Sequence, residues 1–336
     1  MSTDESTSVR RVLVLNEQEV RGLIGVPEAL AAVRDAFARM GRGETSVPPA
    51  MILWVPESRG EVHVKAAHIH YAAYYAVKFA SIFEGNAARG LPLVSGQVYV
   101  YEAATGFLSG MLLDNGFLTD LRTGAAGALA ADLLAKKDVD QVAIIGAGIQ
   151  GRYQLEALLG VRSPTGVWIC DLDRAAADAY AREMSERTGL PVTVAGSVRE
   201  AVDGADVVVT TTPAQSPHLL ARFVAPGTHI TAMGSDNPLK NEIDPALLAR
   251  ADKVVVDSRE MCAVNGELHH ALEAGLLAVD DVYAELGEIA AGLKPGRTSE
   301  EEVTVADLTG LGIQDTAVAA LVMSRALETG SGRTIE

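Results

Sequence analysis

Residues 142–158, VAIIGAGIQGRYQLEAL, decide how the rest of the chain reads. An apolar strand runs straight into Gly146-x-Gly148-x-x-Gly151, and an amphipathic helix opens behind it. Each glycine has a reason. Gly146 permits the tight turn, Gly148 lets the backbone approach a pyrophosphate, and Gly151 lets helix and strand pack closely, while the helix N-terminus favours the anion. A second strand, GVWICD, ends on Asp171, 25 residues after Gly146, near the spacing expected for an acid on the ribose hydroxyls. A carboxylate there accepts from a 2′-hydroxyl and repels a 2′-phosphate, which favours NAD over NADP; Arg174, three residues on, works the other way.

Working outward, apolar runs recur at QVAIIG, GVWICD, VTVAG, ADVVVTTT, THITAMG and DKVVVDS, with helical stretches between most of them. Strands apolar on both faces belong to a parallel sheet covered by helices, so the middle of the chain reads as a doubly wound α/β unit. Thr211 and Thr212 follow its fourth strand, at the edge where open α/β sheets bind ligands, though an ordinary loop start reads equally well. Before it, MILWV, EVHVKAAHI, YAVKFAS and GQVYVYEAATGFLSGMLLD read as a mostly antiparallel sheet, with EAATG as a hairpin loop. The stretch VPEALAAVRDAFARMGRGE reads as a helix with Pro27 in its first turn and Gly41 at its end. The Ala- and Gly-rich TDLRTGAAGALAADLLAKKD reads as a helix able to press against another backbone. The tail, EEVTVADLTGLGIQDTAVAALVMSRALETG, reads as a strand, a turn and a last helix that returns to the antiparallel sheet.

The totals limit the function. A chain of 336 residues, 48% hydrophobic, buries a full core and suggests about two domains. The formal net charge of −16 argues against nucleic acid and anionic membrane as partners. Cys170 and Cys262 are too few for a disulfide framework, and Cys170 sits in an apolar run as a small buried residue. MSTDESTSVRR has no apolar stretch like a secretory signal, and no run reaches the length of a membrane span, so a cytoplasmic protein is expected. No residue set has metal-ligand spacing, and no metal is expected.

Against this acidic balance, Lys65 and Lys78 stand inside two alternating apolar runs. Lysine stems line surface strands harmlessly, and that is the plain reading. Arg122, at a helix start just before the nucleotide-binding strand, is able to fork onto a carboxylate or to make a surface salt bridge. Asp236 follows the fifth parallel strand, on the ligand edge; read alone it suits a turn or helix N-cap better than a proton carrier. His68 and His70, two apart, share a strand face, most simply as solvated side chains.

Four stretches, YAVKFAS, LLDNGFLTDLRTGAAGALAADLLA, VAIIGAGIQGRYQLEAL and GSDNPLKNEID, resemble the ornithine cyclodeaminase/mu-crystallin family, and VADLTGLGIQDTAVA resembles its closing segment. The resemblance implies a Rossmann domain, residues 121–309, and a mostly antiparallel α+β domain for substrate binding and dimerisation, residues 1–120 plus 310–336. It implies a homodimer that binds NAD(H) or NADP(H), of which Asp171 favours NAD(H), and moves hydride at the α-carbon of a small amino or imino acid. Lys78 matches the lysine near the substrate carboxylate, Arg122 the carboxylate-binding arginine and Asp236 the catalytic aspartate. Thr123, Gly146, Gly148, Ile149, Gln150, Gly151, Asp171, Thr211, Thr212 and Ser235 fall on cofactor-binding positions. Two departures bear on the substrate. Ala50 stands where many members carry an arginine, and Lys65 stands where ornithine cyclodeaminases carry a glutamate for the distal amine. Two like charges 4 Å apart repel by about 4 kcal/mol at an effective dielectric near 20. Lys65, with His68 or His70 beside it, therefore favours an acidic or neutral substrate over ornithine, as in the branch with iminosuccinate reductases and ectoine-utilisation proteins. The expected activity is an imine reductase or amino-acid dehydrogenase, with ornithine cyclodeaminase as the alternative.

Overall fold

The computed structural model describes residues 11–336; the polar start of the chain lies outside the described residues. One eight-stranded sheet runs, edge to edge, through Arg333–Ile335, Val12–Asn16, Leu108–Leu113, Val94–Glu102, Tyr74–Phe83, Gly60–Ile69 and Thr45–Ser46, with Met51–Val55 also paired to Gly60–Ile69. Its pairs are antiparallel except for Val12–Asn16 against Leu108–Leu113. Alternation in GEVHVKAAHI puts Glu61, His63, Lys65, Ala67 and Ile69 on the buried face. Register then matters: Lys65 pairs directly with Lys78, His63 with Ala80, Lys78 with Val98 and Ala80 with Gly96. The helices Val26–Gly41, Phe117–Leu134 and Gly312–Thr329 close the inner face, where Ile69, Ala76, Val100 and Leu112 share a core with Phe37, Leu121, Val318 and Val322.

The strands Val12–Asn16, Thr45–Ser46 and Arg333–Ile335 of this sheet, and the helix Glu17–Leu23, escape the sequence reading. VLVLN and the helix Glu17–Leu23 carry legible signals, an apolar strand followed by a capping box between Asn16 and Glu19. The last strand, Arg333–Ile335, is exposed throughout and has no pattern to read. The parallel pair Gln215–Leu219 and Asn241–Ile243 was likewise hidden in loop-like sequence.

The second sheet is wholly parallel, in the order Val192–Val194, Gly166–Cys170, Gln141–Ile145, Val207–Thr210, His229–Ala232, Thr304–Asp307, Lys253–Val256, Ala284–Glu285. Alternate residues feed different cores. Val142, Ile144, Val207 and Val209 pack with Leu155 and Tyr180, while Ala143, Ile145, Val208 and Ile230 pack with Leu219 and Leu248. Both faces are covered, which is why the strands read as unbroken apolar runs. The order reverses between Gln141–Ile145 and Val207–Thr210, the switch point at which doubly wound sheets bind ligands. The small residues of Phe117–Leu134 act as read: a side chain at Gly124 or Gly127 would strike Tyr153 or Gln154 of the next helix.

At the ligand edge of this sheet Asp307 is fully buried, with Oδ2 accepting from Leu268 N at 2.9 Å and Oδ1 without a partner. Burial, reinforced by the charge of Asp257, pushes its carboxyl up from 3.8 to about 7. Between those values the folded form holds more protons than the unfolded one, so this group costs stability as pH rises from about 4 to 7, and the cost stays constant above. Asp307→Asn removes the cost and keeps an acceptor for Leu268. In urea unfolding the variant is expected to gain on the parent between pH 4 and 8, by a few kcal/mol at most.

Candidate functional site

The cross-strand lysines are not surface decoration: Lys78 is 1% exposed and Lys65 8%. The start of the Gly312–Thr329 helix brings Gln314 and Asp315 to them, and Phe117–Leu134 brings Arg122. Lys78 Nζ lies 3.2 Å from Asp315 Oδ1, and Arg122 Nε donates to the same oxygen at 3.1 Å. Arg122 Nη1 donates to Gln314 Oε1 at 2.6 Å. Lys65 Nζ donates to the carbonyls of Thr309, at 3.1 Å, and Gly310, at 2.6 Å. Gly310 has φ +80°, and a Cβ on it would sit 2.7 Å from Arg122 Nη1 and 3.3 Å from Lys65 Nζ. Only glycine lets the chain turn there between two cations.

Three buried cations thus surround one buried carboxylate. Burial first, then the neighbouring Arg122, pushes Lys78 down to about 7, and the same causes push Lys65 down. Burial opposes the charge on Asp315, but Arg122, Lys78 and Lys65 outweigh it and hold its carboxyl below the usual range. Asp315 Oδ2 and Gln314 Nε2 have no hydrogen-bond partner. A cavity of about 240 Å³ opens beside Lys65, lined also by Thr45, Pro49, Ala50, Glu260 and Leu311. Ala50, the departure noted above, leaves that space open.

Asp236 caps no helix. Its Oδ1 accepts from Lys240 Nζ at 2.6 Å. Burial opposes its ionisation, but Lys240, then the charges of Lys65 and His63, hold it below the usual carboxylate range. Asp236 therefore lies within the field of the sheet's basic groups. His68 and His70 do not join them. His68 sits on the opposite face of the strand from Lys65 because it lies three positions along, and His70, past the strand end, lies 3.3 Å from Ser46 Oγ. The histidine on the Lys65 face is His63, two residues earlier, and the same parity rule could have found it.

The glycine turn is shaped for a dinucleotide. Gly146 has φ +113°, and a side chain on Gly151 would strike the Gly146 carbonyl. Nothing lies within 4 Å of where a Gly148 side chain would begin, so the space that backbone leaves is open. Thr211 Oγ1 donates to the Ile145 and Gly146 carbonyls, and Gln150 Nε2 donates to Asp120 Oδ1 at 2.7 Å. Ile149 is half exposed at the helix start. Asp171 Oδ2 accepts from Ala147 N at 2.7 Å and Oδ1 from Asp173 N at 2.8 Å, which fixes the carboxylate beside the loop. Arg174 turns away to Asp178.

Other predicted positions spend their side chains locally. Thr123 Oγ1 donates to Thr119 O, and Ser235 Oγ to Lys240 O. Thr212 donates through both N and Oγ1 to Glu242 Oε1, and Glu242 Oε2 accepts from Thr210 and Gly234. Glu242 thereby ties the ends of two parallel strands together. It had no distinguishing signal in the sequence, and neither did Asp315. Among the described residues, His269, His270 and Glu273 bring ligand atoms within 4.8 Å of one another, on a different helix.

The family model for ornithine cyclodeaminase/mu-crystallin proteins matches residues 10–330. The chain belongs to this family. An archaeal alanine dehydrogenase dimer with bound NAD superposes with a TM-score of 0.92 at 38% identity, covering 97% of this chain and 99% of that one. The Delta(1)-pyrroline-2-carboxylate reductase of Thermococcus litoralis, in complex with NADH and L-proline, gives a TM-score of 0.92 at 31% identity, over 96% of this chain and all of that one. The iminosuccinate reductase of Paracoccus denitrificans, with NAD+, gives 0.90 at 32%, over 97% and 100%. Within the family the chain is thus similar to NAD-linked dehydrogenases and imine reductases with several substrates.

Proposed function

We propose that this family member is an NAD(H)-dependent imine reductase, or amino-acid dehydrogenase in the reverse direction, acting on a small imino acid with an acidic side chain. The observation that carries the reading is the convergence of the buried Lys65, Lys78 and Arg122, two of which share one oxygen of Asp315. Such a cluster of buried basic groups offers donors to an anion. Lys78 and Arg122 hold the α-carboxylate, and Lys65 faces the substrate's far end, where a cationic chain such as ornithine's is repelled. Held this way the substrate gains orientation rather than chemistry. The Gly146–Gly151 turn and Asp171 hold the dinucleotide, which when bound supplies the hydride. Asp236, kept ionised by Lys240, steadies a positively charged iminium and accepts a proton from the amine in the reverse direction.

The reading also takes the chain as a homodimer, like the archaeal alanine dehydrogenase, with residues 1–120 and 310–336 forming the substrate and dimer part and 121–309 the dinucleotide part. Met51, Leu53 and Trp54, each about half exposed on one strand, supply an apolar surface for such a contact. No helix among the described residues is long and apolar enough to cross a membrane.

Oxidation of NADH in the presence of oxaloacetate and ammonia tests the activity. Turnover with that or another 2-oxo acid is expected, and Asp236→Asn is expected to lower kcat ~100-fold while leaving NADH binding unchanged. Ammonia and proline released from ornithine, with no oxo-acid turnover, would reverse the reading in favour of a cyclodeaminase.

A further inference from the structure

Two titratable side chains on the inner face of the Lys65 strand take no part in this scheme. Glu61 and His63 stand four and two residues before Lys65 and point the same way. They are 8% and 5% exposed. Buried polar groups are normally satisfied, yet these have only each other. His63 Nε2 lies 3.4 Å from Glu61 Oε1, and neither that nitrogen nor Glu61 Oε2 has a formed hydrogen bond.

The register shows what lies beside them. The row through Lys65 continues across the sheet to Lys78 and Val98, but the row through His63 continues to Ala80 and Gly96. A methyl group and a bare backbone leave the floor low next to the ring. Gly96 is itself close to another chain segment, for its Cβ would sit 3.2 Å from Gly116 Cα. His63 and Lys65, two residues apart on one strand, lie side by side on its buried face.

We propose that His63, steadied by Glu61, is a specificity-determining residue that joins Lys65 in a second anion site, one that takes the side-chain carboxylate of a dicarboxylic imino acid. Lys78 and Arg122 hold the first carboxylate. Glu61 Oε1 lies 3.4 Å from Nε2, so Glu61 holds that side of the ring and leaves Nδ1 as the nitrogen for a ligand. A substrate with an apolar end would offer no acceptor to His63 or to the Lys65 proton left over from the Thr309 and Gly310 carbonyls. The inference rests on the imino-acid reading above.

The test compares oxaloacetate with pyruvate, each with ammonia and NADH, for the parent, His63→Leu, His63→Gln and Lys65→Met. The parent is expected to favour oxaloacetate at least ~10-fold in kcat/KM. His63→Leu should raise KM for oxaloacetate ~10–100-fold, the worth of a charge-assisted hydrogen bond, with kcat and the pyruvate reaction changed less than about threefold. His63→Gln, which keeps a donor, should recover part of the loss, and Lys65→Met should raise KM for oxaloacetate at least as much as His63→Leu. Unchanged NADH binding by each variant verifies folding. Equal losses on both oxo acids, a loss confined to kcat, or no loss overturns the inference. A parent that reduces the pyruvate imine but not the oxaloacetate one also overturns it and leaves the reductase reading standing. Failure to turn over these or any other 2-oxo acid removes both.

Discussion

Lys78→Met is expected to leave a folded protein that binds NADH as before and reduces imino acids at least ~1,000-fold more slowly. A carboxylate and an ammonium 4 Å apart attract by about 4 kcal/mol at an effective dielectric near 20, which is roughly a thousandfold in kcat/KM when the contact orients the reacting carbon. Methionine keeps the stem's bulk in a fully buried position without its charge. The fold is expected to tolerate this, because Arg122 still donates to Asp315 and keeps that buried carboxylate paired. Stability against pH provides a second signature. Lys78 titrates at about 7 when folded and near 10.5 when unfolded, so between those values the unfolded chain holds more protons and the parent gains stability as pH rises. Below 7 the lysine is protonated in both states and its burial penalty is constant. The variant should lack the gain between pH 7 and 10.5, as read by urea unfolding without substrate. Activity within tenfold of the parent would place Lys78 outside the substrate site.

How such a residue is recognised shows which parts of the molecule were legible. The parallel strands were, because burial on both faces demands unbroken apolar runs, and the glycine turn was, because its backbone excludes other residues. The register that pairs Lys65 with Lys78 was not. Their hairpin turns without glycine, and Tyr71 takes the left-handed conformation at φ +65° instead. No turn signal fixed the pairing, so the face on which each histidine lies was open. His68 and His70 drew notice for their spacing, whereas parity with Lys65 belongs to His63. Asp315 was harder still. It meets Arg122 across 193 residues of sequence; the last helix was expected on the antiparallel sheet, but no local pattern said which of its residues would face Arg122. Glu242 is of the same kind: its four hydrogen bonds join strand ends that no local pattern connects.

Asp171→Ser is expected to shift the preference between NADPH and NADH by roughly a thousandfold toward NADPH. Two effects add. The serine weakens the hydrogen bond to the ribose hydroxyls, a charge-assisted contact worth about 1.5–3 kcal/mol, and so costs NADH ~10–100-fold. It also removes a negative charge that faces the 2′-phosphate, and that repulsion is of the same order as the loss. The carboxylate is held in place by Ala147 N and Asp173 N, so it cannot swing aside to admit the phosphate in the parent. Arg174 does not compensate in the parent, since its guanidinium is paired with Asp178 in the next turn of the helix. Adding Asp178→Ala to the serine variant should free Arg174 and carry the shift further, because an unpaired guanidinium is the group that grips a 2′-phosphate. The measurement is kcat/KM for each cofactor at one fixed imino-acid concentration. Loss of NADH use with no gain for NADPH would show that Asp171 serves the loop through Ala147 alone. An unchanged ratio in both variants would remove Asp171 from the cofactor site altogether.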